Sequence, residues 1–186
     1  MGDSTSEGLT SPDYLPNPAD RITARYAAVG VTQSIMEISG GTSIVETLNH
    51  EPNEYTIAKQ LVAEGYHGCW VLALGTNDTA DVYVGSNLNR TQRIKEMMSV
   101  IGGQPVLWVE VKSLVSSGPY AEQNMTLWNE ALAEELPHHP NMRLYDWPAA
   151  VRDSWFISDG IHYTSPGYVQ RARLIADALA RVFPAN

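Results

Sequence analysis

The strongest constraint on the fold is a repeated alternation. Short apolar runs bounded by Gly and Pro are separated by longer segments with helical periodicity. "CWVLALG" at 69–75 and "PVLWVEVK" at 105–112 are the clearest strand candidates, and "SIMEIS" at 34–39 and "MRLYDW" at 142–147 are two weaker ones. Between them, "NEYTIAKQLVAEGY" sets Tyr55, Ala58, Leu61 and Val62 on one face, with Gly65 placed to close the helix. "NRTQRIKEMMSVIG" aligns Ile94, Met97, Met98 and Ile101. "YAEQNMTLWNEALAEEL" aligns Met125, Trp128, Leu132 and Leu136. The last helix has Ser165 as its expected N-cap and Pro166 at its first position, then Tyr168, Ala172, Ile175, Leu179 and Val182 at helical spacing. Strands alternating with helices imply βαβ units and a parallel sheet. No repeat, low-complexity tract or linker interrupts the pattern, so residues 1–186 read as one α/β domain.

Charge and cysteine content exclude several functions. The chain of 186 residues carries a formal net charge of -9, which disfavours nucleic acid and anionic membrane surfaces as partners. Cys69 is the single cysteine, so neither an intrachain disulfide nor a Cys-based zinc site can form, and its apolar surroundings imply a buried, inert thiol. His50, His67, His138 and His139 read as structural or solvated. No spacing points to a metal or to a nucleotide cofactor. No run of about 18 apolar residues is present, and the polar, acidic first residues are unlike a signal peptide.

Ligands of parallel sheets bind outside the carboxyl ends of the strands, which directs attention to three segments. "GTND" at 75–78 follows the best strand and places Thr76, Asn77 and Asp78 at that edge, although a plain turn would use the same residues. "SGGTSIVE" at 39–46 has paired glycines whose backbone N–H groups could hold an oxyanion at a helix start, or could simply turn the chain. "SDGIHYTSPGY" at 158–168 sets Asp159 three residues before His162, the pairing an imidazole base needs to fix its tautomer. Two further loops border these segments. The proline-rich stretch 10–20 is a connection or a wall of the site, and the loop 79–90 is expected to rim the pocket. Trp147, Trp155, Tyr163 and Tyr168 near the Asp159–His162 loop either pack in the core, the favoured role, or stack on a sugar.

Taken with Gly2-Asp3-Ser4 at the amino end, these segments resemble the SGNH hydrolases, also called GDSL-type esterases. The matching blocks are Gly2-Asp3-Ser4, Gly40-Gly41, Gly75-Thr76-Asn77-Asp78 and Asp159-Gly160-Ile161-His162, in the family's order and across nearly the whole chain. The resemblance implies a flavodoxin-like three-layer α/β/α sandwich with about five parallel strands and no cofactor. It implies Ser4 as the nucleophile, His162 as the base, and Asp159 as the residue that orients it. The oxyanion would be held by the backbone N–H groups of Ser4 and Gly41 and by the Asn77 amide. Gly41 is preferred over Gly40 because the following Thr-Ser-Ile is expected to begin a helix.

The implied activity is hydrolysis of short-chain, acetyl-like O-acyl esters. The alternatives are acyl transfer to a cell-envelope carbohydrate and, from another class, a non-catalytic binding domain of the same fold. The wording of the blocks is similar to exported actinobacterial members, some attached to membrane acyltransferases, so the expected setting is extracytoplasmic and the expected substrate an acyl ester or acylated carbohydrate. One departure stands out. In the family a central strand leads into the serine turn, yet only Met1 precedes Gly2. The expectation is therefore a first strand missing or truncated here, and a natural polypeptide that extends upstream.

Overall fold

The computed structural model describes residues 1–184. Three strands, β1 (Trp70–Leu72), β2 (Val106–Val109) and β3 (Met142–Tyr145), form a parallel sheet in the order β1-β2-β3. Among the described residues eight α-helices accompany them: α1 (Ser4–Glu7), α2 (Ile22–Ala28), α3 (Glu54–Ala63), α4 (Thr76–Tyr83), α5 (Arg90–Ile101), α6 (Glu122–Glu135), α7 (Trp147–Ala150) and α8 (Ser165–Val182). All four residues of β2 are buried, as expected of a strand covered on both faces. Val106 and Trp108 pack with the apolar stripes of α3, α5 and α6. Leu107 and Val109 face the other way and join α2 and α8 through Ile22, Tyr26, Ile175 and Leu179. The result is the three-layer α/β/α sandwich.

The local signals explain most helix boundaries. Asn53 caps α3 by accepting from the Thr56 N–H, and Asn89 with Gln92 forms a reciprocal capping box on α5. The cap of α8 lies one residue earlier than expected. Thr164, not Ser165, accepts from the Gly167 N–H, because Thr164 has the extended backbone a cap requires. The proline-rich stretch contains a short 3₁₀ helix, Pro18–Asp20, and leads into α2, which had no clear sequence signal.

The fourth expected strand, at 34–39, is reduced to one pairing. Gly2 bridges Ile38 on one side and Ala73 on the other, both in parallel. The Gly2 N–H donates to the Glu37 carbonyl at 2.9 Å, and the Ser39 N–H donates to the Gly2 carbonyl at 3.1 Å. On the other flank the Met1 amino group donates to the Val71 carbonyl at 2.8 Å and the Ala73 N–H to the Met1 carbonyl at 3.0 Å. Met1 and Gly2 thus occupy the central position ahead of Ser4, and the segment around Ile38 pairs only where they reach it. A cavity of about 490 Å³ opens beside them, between Val71 on β1 and the segment Val31–Met36. Ile175 and Leu179 of α8 form part of its apolar wall.

Candidate active site

The paired Met1–Gly2 stretch delivers Ser4 to the carboxyl edge of the sheet, at the first position of α1. Asp3 is the cap of that helix. Its carboxylate accepts from the Thr5 N–H at 2.9 Å and from the Thr5 hydroxyl at 2.7 Å, and burial pushes its pKa up. The first-turn position leaves the Ser4 N–H without an intrahelical acceptor.

The Ser4 hydroxyl oxygen lies 2.8 Å from His162 Nε2, across 158 residues of chain. His162 Nδ1 lies 2.7 Å from Asp159 Oδ2. The other carboxylate oxygen of Asp159 accepts from the backbone N–H groups of Ile161 at 2.8 Å and His162 at 2.9 Å. Burial raises the Asp159 carboxyl, but the hydrogen bonds from the His162 ring and from these two N–H groups outweigh it and hold the pKa below the ordinary carboxylate value. The loop is fixed from below. The Leu114 N–H donates to the Gly160 carbonyl at 2.7 Å, the Ile157 N–H to the His162 carbonyl at 2.9 Å, and Phe156 bridges Tyr163. Asp159 and His162 are nonetheless open to solvent, with side chains 40% and 34% exposed.

The opposite wall is built on α4. Gly75 precedes it at φ 135°, a conformation L-residues avoid, and a Cβ there would meet the Trp128 ring at 2.2 Å. The expected turn at 76–78 is thus the first turn of a helix, which also absorbs residues 79–83 of the loop expected to rim the pocket. Asn77 is buried. Its Nδ2 donates to the Thr42 carbonyl at 2.8 Å, while its Oδ1 accepts from the Tyr120 hydroxyl at 3.2 Å. These two partners fix which way the amide faces and leave one Nδ2 hydrogen for another acceptor.

Gly41 sits one residue before Thr42, exposed and at φ +74°, with Leu48 covering the place a Cβ would take. Gly40 packs against the Glu7 carboxylate at the end of α1, which brings this loop up to the serine helix. No helix starts after Gly41, contrary to expectation. The backbone groups that would build one are engaged elsewhere. The Ile44 N–H donates to Asp78 at 2.9 Å, and the carbonyls of Ser43 and Ile44 accept from Glu54 and Tyr55 of α3.

Sequence reasoning passed over Tyr120 and the buried Arg93. An Arg four residues before Met97, on a stripe otherwise apolar, is the signal that could have exposed the latter. Of the aromatics near the His162 loop, Trp147, Tyr163 and Tyr168 are core residues, with Trp147 Nε1 donating to the Tyr163 hydroxyl at 2.7 Å. They offer no open stacking face. Cys69 is half-buried, and burial pushes its thiol up. Among the described residues, no three His, Cys, Asp or Glu side chains are grouped to hold a metal ion, and no helix is long and apolar enough to cross a membrane.

No family model matches the chain, and no curated protein matches it. Solved structures do. A carbohydrate acetylesterase family member from Sinorhizobium meliloti superposes with a TM-score of 0.76 at 14% identity, covering 100% of this chain and 97% of its own. A member of the lipolytic G-D-S-L family from Veillonella parvula gives a TM-score of 0.68 at 15% identity, covering 100% and 96%. The C-terminal catalytic domain of peptidoglycan O-acetyltransferase A from Streptococcus pneumoniae gives 0.63 at 15% identity, covering 97% and 88%. With a parallel sheet wrapped on both faces and a likeness to these structures along almost its full length, the chain has the fold of the SGNH, or G-D-S-L, hydrolases.

Proposed function

We propose that this protein is a serine ester hydrolase acting on short O-acyl esters. The observation that carries the reading is the relay from Ser4 Oγ through the His162 ring to Asp159, with contacts of 2.8 and 2.7 Å. In this reading His162 takes the Ser4 proton as the hydroxyl oxygen attacks the acyl carbonyl. The oxyanion of the tetrahedral intermediate is held by the N–H groups of Ser4 and Gly41 and by the free Nδ2 hydrogen of Asn77. The protonated ring then gives its proton to the leaving alkoxide. Asp159 holds the productive tautomer and stabilises the imidazolium. Water, activated by His162, attacks the acyl-enzyme and releases the acid. Two of the structural neighbours described above, the carbohydrate acetylesterase and the peptidoglycan O-acetyltransferase domain, support an acetyl ester of a carbohydrate as substrate and a cell-envelope setting.

A second reading replaces that water by a sugar hydroxyl. It is favoured by the exposure of Asp159 and His162, which leaves the relay on an open face that a bulky acceptor can approach. Turnover of a short activated acetyl ester, with and without sugar acceptors and with mass spectrometry of the products, separates the two. Acylated sugar as the main product selects transfer, and free acetate regardless of acceptor selects hydrolysis. Turnover that persists in Ser4→Ala refutes both.

A further inference from the structure

Beneath the Asn77 side of the site lies a buried charge cluster that the proposed chemistry does not use. Arg93, on α5, is fully buried, and all five of its N–H donors have acceptors. Nε donates to the Leu88 carbonyl at 3.1 Å. Both terminal nitrogens grip the Glu46 carboxylate, one of them also donates to Asp78 Oδ1 at 3.0 Å, and the other to the Ser86 hydroxyl at 2.7 Å. Each carboxylate belongs to a segment that carries a candidate oxyanion donor. Glu46 lies in the irregular loop that starts at Gly40-Gly41 and is bonded again by Ser43 at 3.0 Å and Ser86 at 2.6 Å. Asp78 follows Asn77 on α4, and the same Oδ1 that meets Arg93 accepts the Ile44 N–H from that loop.

We infer that Arg93 is a positioning residue: through Glu46 and Asp78 it clamps the Gly41 loop against the start of α4 and so sets the spacing of the Gly41 and Asn77 donors. This inference rests on the hydrolase reading above. The physical reason is that residues 40–53 contain no helix or strand of their own. Their alignment to the site comes from three links to α4 and α5: Thr42 to Asn77, Ile44 to Asp78, and Glu46 to Arg93. Arg93 takes part in two of these. A guanidinium suits the role because its planar fork fixes the directions of both carboxylates at once, which a lysine ammonium cannot do.

The test uses Glu46→Gln, since Glu46 is 35% exposed and Gln keeps its size while removing the charge that Arg93 grips. With a short activated acetyl ester, Glu46→Gln should lower kcat about tenfold with KM nearly unchanged, the pattern of a lost transition-state interaction. Arg93→Lys, which offers three donors in place of five, should lower kcat further. In an Asn77→Ala background, Glu46→Gln should cost clearly less than about tenfold, because only the Gly41 donor is left for it to align. A full tenfold loss in that background, or a change confined to KM, would overturn the inference.

Hydrogen exchange of the Ile44 amide reads the clamp without any turnover. It should speed up about tenfold in Glu46→Gln while the amides of β2 change much less, since the loop loses a tether and the sheet does not. Unchanged exchange overturns the clamp. Absence of Ser4-dependent turnover in the unmodified protein would overturn the hydrolase reading instead, and the Ile44 exchange then decides the clamp by itself.

Discussion

The two halves of the candidate site are organised in opposite ways. On one side, Asp159 and His162 sit three residues apart in a single loop, exposed, with the carboxylate satisfied by N–H groups of its own loop. On the other, Asn77 and the Gly41 loop are separated by more than 30 residues and joined by buried polar links that end at a fully buried arginine. The first half is local and tolerant, so it can stand open to solvent. The second is built from tertiary contacts in a low-dielectric interior, where each polar group must be matched and each loss is felt. Proton transfer needs one well-aligned ring. Oxyanion stabilisation needs several donors fixed before the charge develops.

Substitutions can test this contrast. Ser4→Ala should abolish ester turnover, a loss of ~10⁴-fold or more, with little change in melting temperature because Ser4 is only partly buried. Steady-state kinetics beside calorimetry would show both. Asn77→Ala comes next. It should lower kcat by about 10²–10³-fold and, unlike Ser4→Ala, also lower stability by ~1–3 kcal/mol, because the Thr42 carbonyl and the Tyr120 hydroxyl lose their partner. Equal stability of the two variants, measured by urea unfolding, would erase the distinction between the halves. Tyr120→Phe should cost less, about 3–10-fold in kcat, since it frees the Asn77 amide to rotate without removing it.

The smallest effect is on pH dependence, and here the two halves should differ in sign. Burial raises the Asp78 carboxyl to about 7, against the hydrogen bond from Ile44 and the charge of Arg93. A carboxyl whose folded pKa is raised contributes stability that is full below about pH 4 and is lost as pH climbs through about 7. Asp159 is held low, so its contribution is present above the ordinary carboxylate pKa and is lost only in acid, and its exposure keeps it small. Melting curves between pH 5 and 8 should therefore fall with pH in the unmodified protein, fall less in Asp78→Asn, and keep the original slope in Asp159→Asn. An unchanged slope in Asp78→Asn would show that the buried cluster does not titrate in this range.

Legibility in the sequence followed the same divide. Strand runs at 69–75, 105–112 and 142–147 and the stripes of α3, α5, α6 and α8 were readable, because burial on a sheet or helix face imposes periods of two and 3.6 on apolar residues. Asp159 and His162 were readable as a pair because three residues of one loop suffice to bring them together. The helix expected after Gly41 was not found. Nothing in "TSIVE" announces that its amide and carbonyl groups will be taken by Asp78, Glu54 and Tyr55. Tyr120 was missed for a similar reason, since its hydroxyl matters only where the chain carries it to Asn77.

By itself, then, the sequence determined the alternation of strands and helices that makes a parallel sheet, the order of its main elements and the residue types at the carboxyl edge of the sheet, all of which depend on local pattern. Only the tertiary structure decided that Ser4 meets His162 at 2.8 Å, that Met1 and Gly2 take the central place between Ile38 and Ala73, and that one buried arginine joins the Gly41 loop to Asn77. Those contacts span tens to more than a hundred residues. They depend on where packed elements leave a polar group without water, which no local pattern encodes.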